Sequence, residues 1–225
     1  MNDTRCGKDR PPVNDAMVTS ALLDLKRAVT NVQSHMALIG GQALQSYGVP
    51  GTTKDADVLV PTGALRAVAD ELVDSFDYTP LDYDDNTGDY MPVDRPAVLL
   101  MQDPVLFDVG QEREMIALCS PLELLVEVLA AQHPIEQEMI DRAAVRVHYD
   151  VRVLVAPLGG VLLVKVKANR PKDIAAIEQA AEHLSAEQMN AAIEWANKRD
   201  PATTEDLRAI VQNVRTRRRP RRNRP

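Results

Sequence analysis

Residues 37–61, ALIGGQALQSYGVPGTTKDADVLVP, contain the features that decide the fold. A short apolar run at residues 36–39 predicts a buried strand that ends at Gly40-Gly41, and a helical pattern follows it. Asp55-Ala56-Asp57 then opens a second apolar run at residues 58–60. Alternate residues of a strand share a face, so the two aspartates are predicted to lie about 7 Å apart on one face of a central strand.

The two aspartates need a compensating charge. Carboxylates at the mouth of a buried strand are costly unless a partner neutralises them. A divalent cation is the simplest partner, and carboxylate oxygens are the ligands that Mg²⁺ prefers. Asp55 and Asp57 therefore predict a site for Mg²⁺ or Mn²⁺.

The order of these parts resembles the signature of the DNA polymerase β-like nucleotidyltransferases. In that superfamily, Gly-Gly or Gly-Ser follows a strand and Asp-x-Asp opens another one; here thirteen residues separate Gly41 from Asp55. The words GGQALQSYG and TKDADVLV are most similar to the bacterial branch that includes the abortive-infection (AbiEii-type) toxins. Thr53, Asp55 and Asp57 match the R-x-T-x-D-x-D pattern of that branch, whereas Gly51 stands where the arginine is usual.

The resemblance implies an α/β (α+β) fold, in which a polymerase β-like nucleotidyltransferase core with a mixed sheet precedes a mainly helical C-terminal region. It also implies the reaction, which is metal-dependent transfer of a nucleoside monophosphate from a nucleoside triphosphate to a hydroxyl. Within that reaction, Gly40 and Gly41 are expected to let the phosphates approach the backbone, with Thr53 nearby. A Gly-Gly pair after a strand is also common as a plain tight turn.

A third carboxylate of the superfamily arrives on a later strand. Asp108 lies within VLFDV, residues 105–109, where an acid among apolar residues needs a reason. The resemblance implies that Asp108 joins Asp55 and Asp57 as a catalytic and metal-binding residue. Two alternatives remain open: Asp108 faces water on an edge strand, or Asp103, beside a proline in a turn sequence, takes this role.

A second landmark is VLLVKVKANRPKD, residues 161–173. It resembles the helix L-x-x-K-x-x-A-x-R-x-K-D of the same branch. We expect Lys165, with Lys167 or Arg170 as further candidates, to offset the charge of the bound triphosphate. The alternative for Lys165 is a lysine on an apolar helix that extends its amine to water.

The composition predicts a folded protein of the cytoplasm. Of the 225 residues 45% are hydrophobic, and no run approaches the ~18 apolar residues of a membrane helix. The start of the sequence has no signal-peptide pattern. The two cysteines, Cys6 and Cys119, have neither a disulfide framework nor zinc spacing, which predicts a reduced chain.

The charge is uneven along the chain. The net charge is -7, yet the last eleven residues, RTRRRPRRNRP, hold seven arginines and no acids. This tail is an arm that contacts RNA or phosphate, a disordered solubilising end, or a segment that contacts the acidic body of the same chain. The AbiEii-type resemblance implies an RNA acceptor such as the tRNA 3′ end, and an antitoxin protein as partner of a toxin.

Two other functions remain open. In the first, the protein has the same fold and binds nucleotide or a partner without catalysis. Gly51, in place of the usual arginine, supports this alternative. In the second, it transfers the nucleotide to a protein side chain or to an antibiotic of the aminoglycoside type, whose positive charge suits an acidic protein.

The predicted organisation is a flexible N-terminus (1–13), the nucleotidyltransferase core (14–110), a mixed and then helical region (111–214), and a disordered Arg-rich tail (215–225). The other predicted elements are a helix capped by Asn14, a helix capped by Thr62, an acidic loop at 81–92, strands at 97–101 and 105–109, a helix from Ser120 to about 132, a hairpin turning at Tyr149-Asp150, and helices beginning near Pro171, Ser185 and Thr204.

Overall fold

The computed structural model describes residues 12–51, 53–101 and 113–218. In chain order the elements are α1 (Asp15–Asn31), β1 (Ala37–Leu38), α2 (Gly40–Ser46), β2 (Asp55–Pro61), a 3₁₀ turn (Thr62–Ala64), α3 (Leu65–Phe76), β3 (Thr79–Asp84), β4 (Asp89–Pro92), β5 (Leu99–Met101), β6 (Arg113–Cys119), β7 (Leu125–Ala131), α4 (Pro134–Asp141), β8 (Ala144–His148), β9 (Val151–Val155), α5 (Leu158–Ala168), α6 (Pro171–His183), α7 (Ala186–Asn197) and α8 (Pro201–Arg218).

The described strands form one mixed sheet in the order β4-β3-β6-β7-β2-β1-β9-β8, and β5 pairs with β6. Two pairs, β2 with β7 and β1 with β9, are parallel, and the remaining pairs are antiparallel. The prediction of a mixed sheet is confirmed. Strands before and after residue 110 belong to the same sheet. The predicted boundary between the core (14–110) and the next region (111–214) therefore falls between strands of one sheet.

Strand β2 is central, as its sequence predicts. It lies between β7 and β1, and its residues Val58, Leu59 and Val60 are fully buried. Because these residues point alternately to the two faces, both faces of the sheet are covered at this strand. Helices α1 and α3 pack together and contact β9, β6 and β7, whereas α2 and α4 pack against β2 and contact α5.

Helices α5 to α8 pack on one another and form the helical C-terminal region. Helix α5 also contacts α2, which joins this bundle to the first turn after β1. The left-handed residue Asn169 ends α5, and Pro171 begins α6 in its first turn. The predicted start of a new helix at Pro171 is therefore confirmed, and the two helices meet at a sharp corner.

The helix predicted from Ser120 to about residue 132 is wrong. Residues 120–124 form the turn of a hairpin between β6 and β7, in which Leu124 donates its backbone N–H to Ser120 Oγ at 3.0 Å. Strand β7 is buried except for Glu127, which is half-buried. The apolar spacing in this segment suits a buried strand as well as a helix, and pairing with β2 decides between them.

Three further predictions change. The acidic loop at 81–92 is the hairpin β3–β4, and Asp84 accepts hydrogen bonds from Asn86 and Thr87 in its turn. Thr62 does not cap a helix but donates to the carbonyl of Ala131. The last helix begins at Pro201 instead of at a Thr204 cap, because Asp200 accepts from the backbone N–H of Thr203.

Three other local predictions are confirmed. Asn14 accepts from the N–H of Met17 and caps α1, and Ser185 forms a capping box with Gln188. The hairpin β8–β9 turns at Tyr149-Asp150, where both residues have positive φ.

Some expectations extend beyond the described residues. The predicted strand at 105–109 lies outside them, while β5 corresponds to the predicted strand at 97–101. Residues 215–218, predicted as disordered tail, belong to α8.

Cys119 is buried and disulfide-bonded, which contradicts the predicted reduced chain. In the described part of the chain, every helix is too short or too polar to cross a lipid bilayer.

Candidate active site

The Gly-Gly turn and the Asp-x-Asp strand form one packed unit. Gly40 has φ +64°, and a Cβ added there would overlap the carboxylate of Asp57. A Cβ on Gly41 would lie 2.7 Å from Thr53 Cβ. Thr53 in turn donates a hydrogen bond to Asp55 Oδ1. The motif spacing therefore has a physical cause, since only glycine allows α2 to sit this close to the head of β2.

A third carboxylate comes from the neighbouring strand. Asp57 on β2 lies directly opposite Glu127 on the parallel strand β7, so both side chains point to the same face of the sheet. The two carboxyl groups share a hydrogen bond. Tyr90 on β4 donates its hydroxyl to Glu127 Oε1 at 2.9 Å.

The pKa values of Asp57 and Glu127 are raised. Burial raises the pKa of Asp57 well above its usual range, and the charges of Asp55 and Glu127 raise it further. Burial and the charge of Asp55 raise the pKa of Glu127, while hydrogen bonds from Asp57 and Tyr90 oppose this. Three acids at one place thus hold more negative charge than the protein around them compensates.

Lysines from the C-terminal helices partly offset this charge. The positive charge of Lys165 on α5 lowers the pKa of Asp57, and that of Lys172 on α6 lowers the pKa of Glu127. Both charges therefore act on the carboxylate cluster, and their helices lie beyond it in the sequence by more than thirty residues.

The second landmark of the sequence is held by Asp173, which is 1% exposed. Its carboxylate accepts from Lys165 Nζ at 3.1 Å and from Arg170 Nε at 2.6 Å. Burial alone would raise the pKa of Asp173, but the hydrogen bond from Arg170 and the charge of Lys165 outweigh it and lower the pKa. Lys165 and Arg170, both predicted from the sequence, are thus brought together by one buried acid.

Gly51 leaves an open position at the entrance to β2. It is exposed, and among the described residues a Cβ added to it would meet only Gln179 Oε1, at an ordinary contact distance of 3.6 Å. A larger side chain fits there, so the absence of an arginine is not imposed by packing. The cationic groups described near the acids come from α5 and α6 instead.

The acids fit a divalent cation by their chemistry. Among the residues that the structure describes, no three acidic, histidine or cysteine side chains are already arranged as a metal-binding group. Asp55 accepts from Thr53, and Asp57 is hydrogen-bonded to Glu127. The proton shared by the two crowded carboxyl groups partly neutralises their charge, as a bound cation would. Carboxylate oxygens are hard ligands, which suit Mg²⁺ or Mn²⁺.

The sequence-predicted residues thus have three outcomes. The structure brings Gly40, Gly41, Thr53, Asp55 and Asp57 together, and Lys165 acts on the same cluster. Arg170 joins Lys165 on Asp173. The catalytic and metal-binding prediction for Asp108 lies outside the described residues, as does its rival Asp103.

Sequence reasoning missed Glu127 and Tyr90. The signal for Glu127 was present, because LVEVLAA places one acid among apolar residues, as VLFDV does for Asp108. It was obscured by the helix expected there. Tyr90 lay in a segment expected to be a loop, and no local pattern connects it with a residue thirty-seven positions away.

Comparisons with known proteins point to one fold. The sequence matches no family model and no curated protein sequence. The structure is similar to the solution structure of the antibiotic-resistance factor ANT(2'')-Ia, with a TM-score of 0.51 and 15% identity over 91% of this chain and 96% of that one. An antigenic nucleotidyltransferase-like protein from Paracoccidioides brasiliensis matches with a TM-score of 0.45 and 14% identity, over 90% of this chain and 95% of that one.

The match to ANT(2'')-Ia agrees with the topology described above. The chain has the nucleotidyltransferase fold, with a mixed sheet and a helical C-terminal region. At this level of identity the likeness establishes the fold alone, and the activity has to be argued from the site.

Proposed function

We propose that this protein is a metal-dependent nucleotidyltransferase, which moves a nucleoside monophosphate from a nucleoside triphosphate to a hydroxyl group. The observation that carries this proposal is the hydrogen-bonded pair of Asp57 and Glu127 on neighbouring parallel strands, with Asp55 beside it. The nucleotidyltransferase fold supports the same conclusion.

In this reaction the acceptor oxygen bonds to the α-phosphorus, the bond to the pyrophosphate oxygen breaks, and the acceptor hydroxyl loses its proton. Mg²⁺ or Mn²⁺, when bound, neutralises charge on the attacking and leaving oxygens. Asp55, Asp57 and Glu127 would hold it, with Asp108 as the further ligand that the sequence predicts. Glu127, whose pKa is raised, is suited to accept the hydroxyl proton.

The triphosphate would lie between the head of β2 and the corner of α5 and α6. Lys165 and Arg170, fixed by the buried Asp173, supply positive charge there. Gly40 and Gly41 expose backbone without side chains next to Asp57 and Thr53, which permits close approach of a phosphate.

For the acceptor we favour RNA. Helix α8 ends in arginines, and the sequence continues with more of them to residue 225. Arg217 pairs with Glu178 on α6, the neighbour of Gln179, which faces Gly51 at the entrance to β2. A polyanion bound along these arginines would lie beside the proposed site. The AbiEii-type resemblance extends this proposal to the tRNA 3′ end, and to a toxin restrained by an antitoxin protein.

An antibiotic hydroxyl is the second candidate acceptor. The structural neighbour ANT(2'')-Ia is an antibiotic-resistance factor, and it has been solved in complex with adenylyl-2''-tobramycin. The net charge of -7 suits a cationic acceptor of that class.

Transfer of label tests the proposal. Each α-labelled nucleoside triphosphate is incubated with Mg²⁺ and either total RNA or an aminoglycoside mixture, and products are treated with nuclease. We expect label in RNA with wild type and none with the double variant D55N/D57N. Truncation after residue 214 should weaken transfer to RNA and leave transfer to an antibiotic unchanged.

A binding protein without catalysis would give a different pattern. Nucleotide would bind in a Mg²⁺-dependent manner that requires Asp55 and Asp57, and no acceptor would be labelled. That outcome would agree with the missing arginine at position 51 and would overturn the proposed transfer activity.

A further inference from the structure

The hydrogen bond from Tyr90 to Glu127 joins two distant parts of the sheet. Tyr90 lies on β4, and the strands β3 and β6 separate β4 from β7 in the sheet order. At roughly 4.8 Å per strand, the phenol and the carboxylate must both reach over the face of the sheet to meet. Tyr90 and Glu127 are therefore not on neighbouring strands, and their contact depends on the hairpin β3–β4.

Strand β6, which lies between β7 and the hairpin β3–β4, leaves room for this contact. Ala117 on β6 lies directly opposite Glu127, and Leu81 on β3 lies opposite Ala117. Directly paired residues point to the same face, so the side chain next to Glu127 in this row is a single methyl group. A larger residue at position 117 would stand between the carboxylate and the hairpin.

The ring of Tyr90 is itself supported. It meets the ring of Tyr83 edge-on, with centroids 5.5 Å apart and an interplanar angle of 69°. Burial, followed by the charge of Glu127 and the hydrogen bond to it, raises the pKa of Tyr90, so its hydroxyl stays protonated and remains a donor. Tyr83 is 47% exposed.

We infer that Tyr90 is a positioning residue, which fixes the rotation of the Glu127 carboxylate so that it faces Asp57 and the divalent cation of the proposed site. The inference rests on the proposed function. Asp57 and Tyr90 both hydrogen-bond to Glu127. When a cation replaces the proton between Asp57 and Glu127, Tyr90 remains as the donor that keeps the Glu127 carboxylate turned towards the other acids. The hairpin β3–β4 thereby becomes part of the site instead of a peripheral edge.

The positioning role of Tyr90 is tested by measuring the affinity of the full-length protein for Mn²⁺. Electron paramagnetic resonance reports the concentration of the free ion during the titration. We expect Y90F to weaken Mn²⁺ binding by about tenfold, the low end of effects for residues that orient metal ligands. The matched control Y83F, which removes a hydroxyl from the supporting ring, should stay within about twofold of wild type. Thermal melting of each variant shows that the fold is kept.

The pair Y90F and E127Q separates positioning from a general structural role. If Tyr90 acts through Glu127, adding Y90F to E127Q causes no further loss of Mn²⁺ affinity. Equal Mn²⁺ affinity of wild type and Y90F would overturn this inference alone, and so would additive losses in the double variant. A wild-type protein that binds no Mn²⁺ would overturn the proposed function together with the inference.

Discussion

Asp57 and Glu127 lie opposite each other on parallel strands and are joined by a hydrogen bond, although seventy positions separate them in the sequence. With Asp55 on the same strand, they concentrate three acids where the glycine turn leaves room. A protein that bears this crowding without a cation pays in stability, so the arrangement indicates a function for the acids.

The third carboxylate can be identified by substitution. We expect E127Q to lower kcat for nucleotidyl transfer roughly 100-fold or more, because it removes a charge that the transition state needs. Glu187, exposed on α7, provides the control E187Q, which should leave kcat unchanged. If D108N abolishes transfer and E127Q does not, Asp108 supplies the third carboxylate, as the sequence predicts.

Gly40 is predicted to be irreplaceable. Its positive φ and the overlap of an added Cβ with Asp57 together make G40A destabilising, by on the order of 3 kcal/mol. Urea unfolding measures this loss. The comparison is G63A, because a Cβ added at Gly63 meets none of the described residues, so this variant should change stability by less than about 0.5 kcal/mol. Equal stability of the two variants would mean that Asp57 does not sit against Gly40.

The lysines of α5 should differ in function. Lys165 pairs with Asp173 and acts on Asp57, whereas Lys167 pairs with Asp200 at 2.7 Å. K165M is expected to lower kcat/KM for the nucleoside triphosphate by tenfold or more, since a charge-assisted phosphate contact is lost. K167M should change it by less than about twofold. Similar losses in steady-state assays would remove Lys165 from the site.

The pH dependence of stability follows from Asp57. Its folded-state pKa lies above its unfolded value, so its contribution is fully present below the unfolded pKa and is lost as pH rises through the folded pKa. The metal-free wild type should therefore lose stability as pH rises from about 4 towards 8, and D57N should lose less. Near pH 8, D57N is expected to melt at a higher temperature than wild type, by about 2–4 °C for each kcal/mol by which its free energy of unfolding exceeds that of wild type.

Thermal melting across this pH range, with and without Mg²⁺, checks the prediction. Mg²⁺ should raise the melting temperature of wild type more than that of D57N, because D57N lacks one of the carboxylates that would hold the cation. A D57N protein that is less stable than wild type at every pH would contradict the proposed crowding.

The first half of the site could be predicted because it is local. Gly40, Gly41, Thr53, Asp55 and Asp57 lie within one short stretch, and a strand, a turn and a second strand bring them together with few alternatives. Their spacing was sufficient to predict both the central strand and the side of it that carries the acids.

Glu127 could not be predicted in the same way. Ser120-Pro121 is typical of a helix start, yet here Ser120 Oγ accepts from Leu124 within a hairpin turn. Side chain to backbone bonds of this kind serve helix caps and turns alike. The pairing of β7 with β2, which lies far away in the sequence, decided the outcome.

The tyrosine contact depends on even more distant information. Tyr90 reaches Glu127 because β3, β6 and β7 are in one register and residue 117 is alanine. No single segment contains that relationship. The corner of α5 and α6 is the opposite case, since Pro171 marks it and Asp173 lies only eight positions from Lys165.

The most direct test of the central claim compares labels on two phosphates of the same nucleotide. Wild-type protein with Mg²⁺ and its acceptor receives the nucleoside triphosphate labelled at either the α- or the γ-phosphorus, and E127Q is assayed beside it. Nucleotidyl transfer predicts that the acceptor gains the α-label, that the γ-label leaves in pyrophosphate, and that E127Q transfers neither. Transfer of the γ-label to the acceptor, or equal transfer of the α-label by E127Q, would contradict the account.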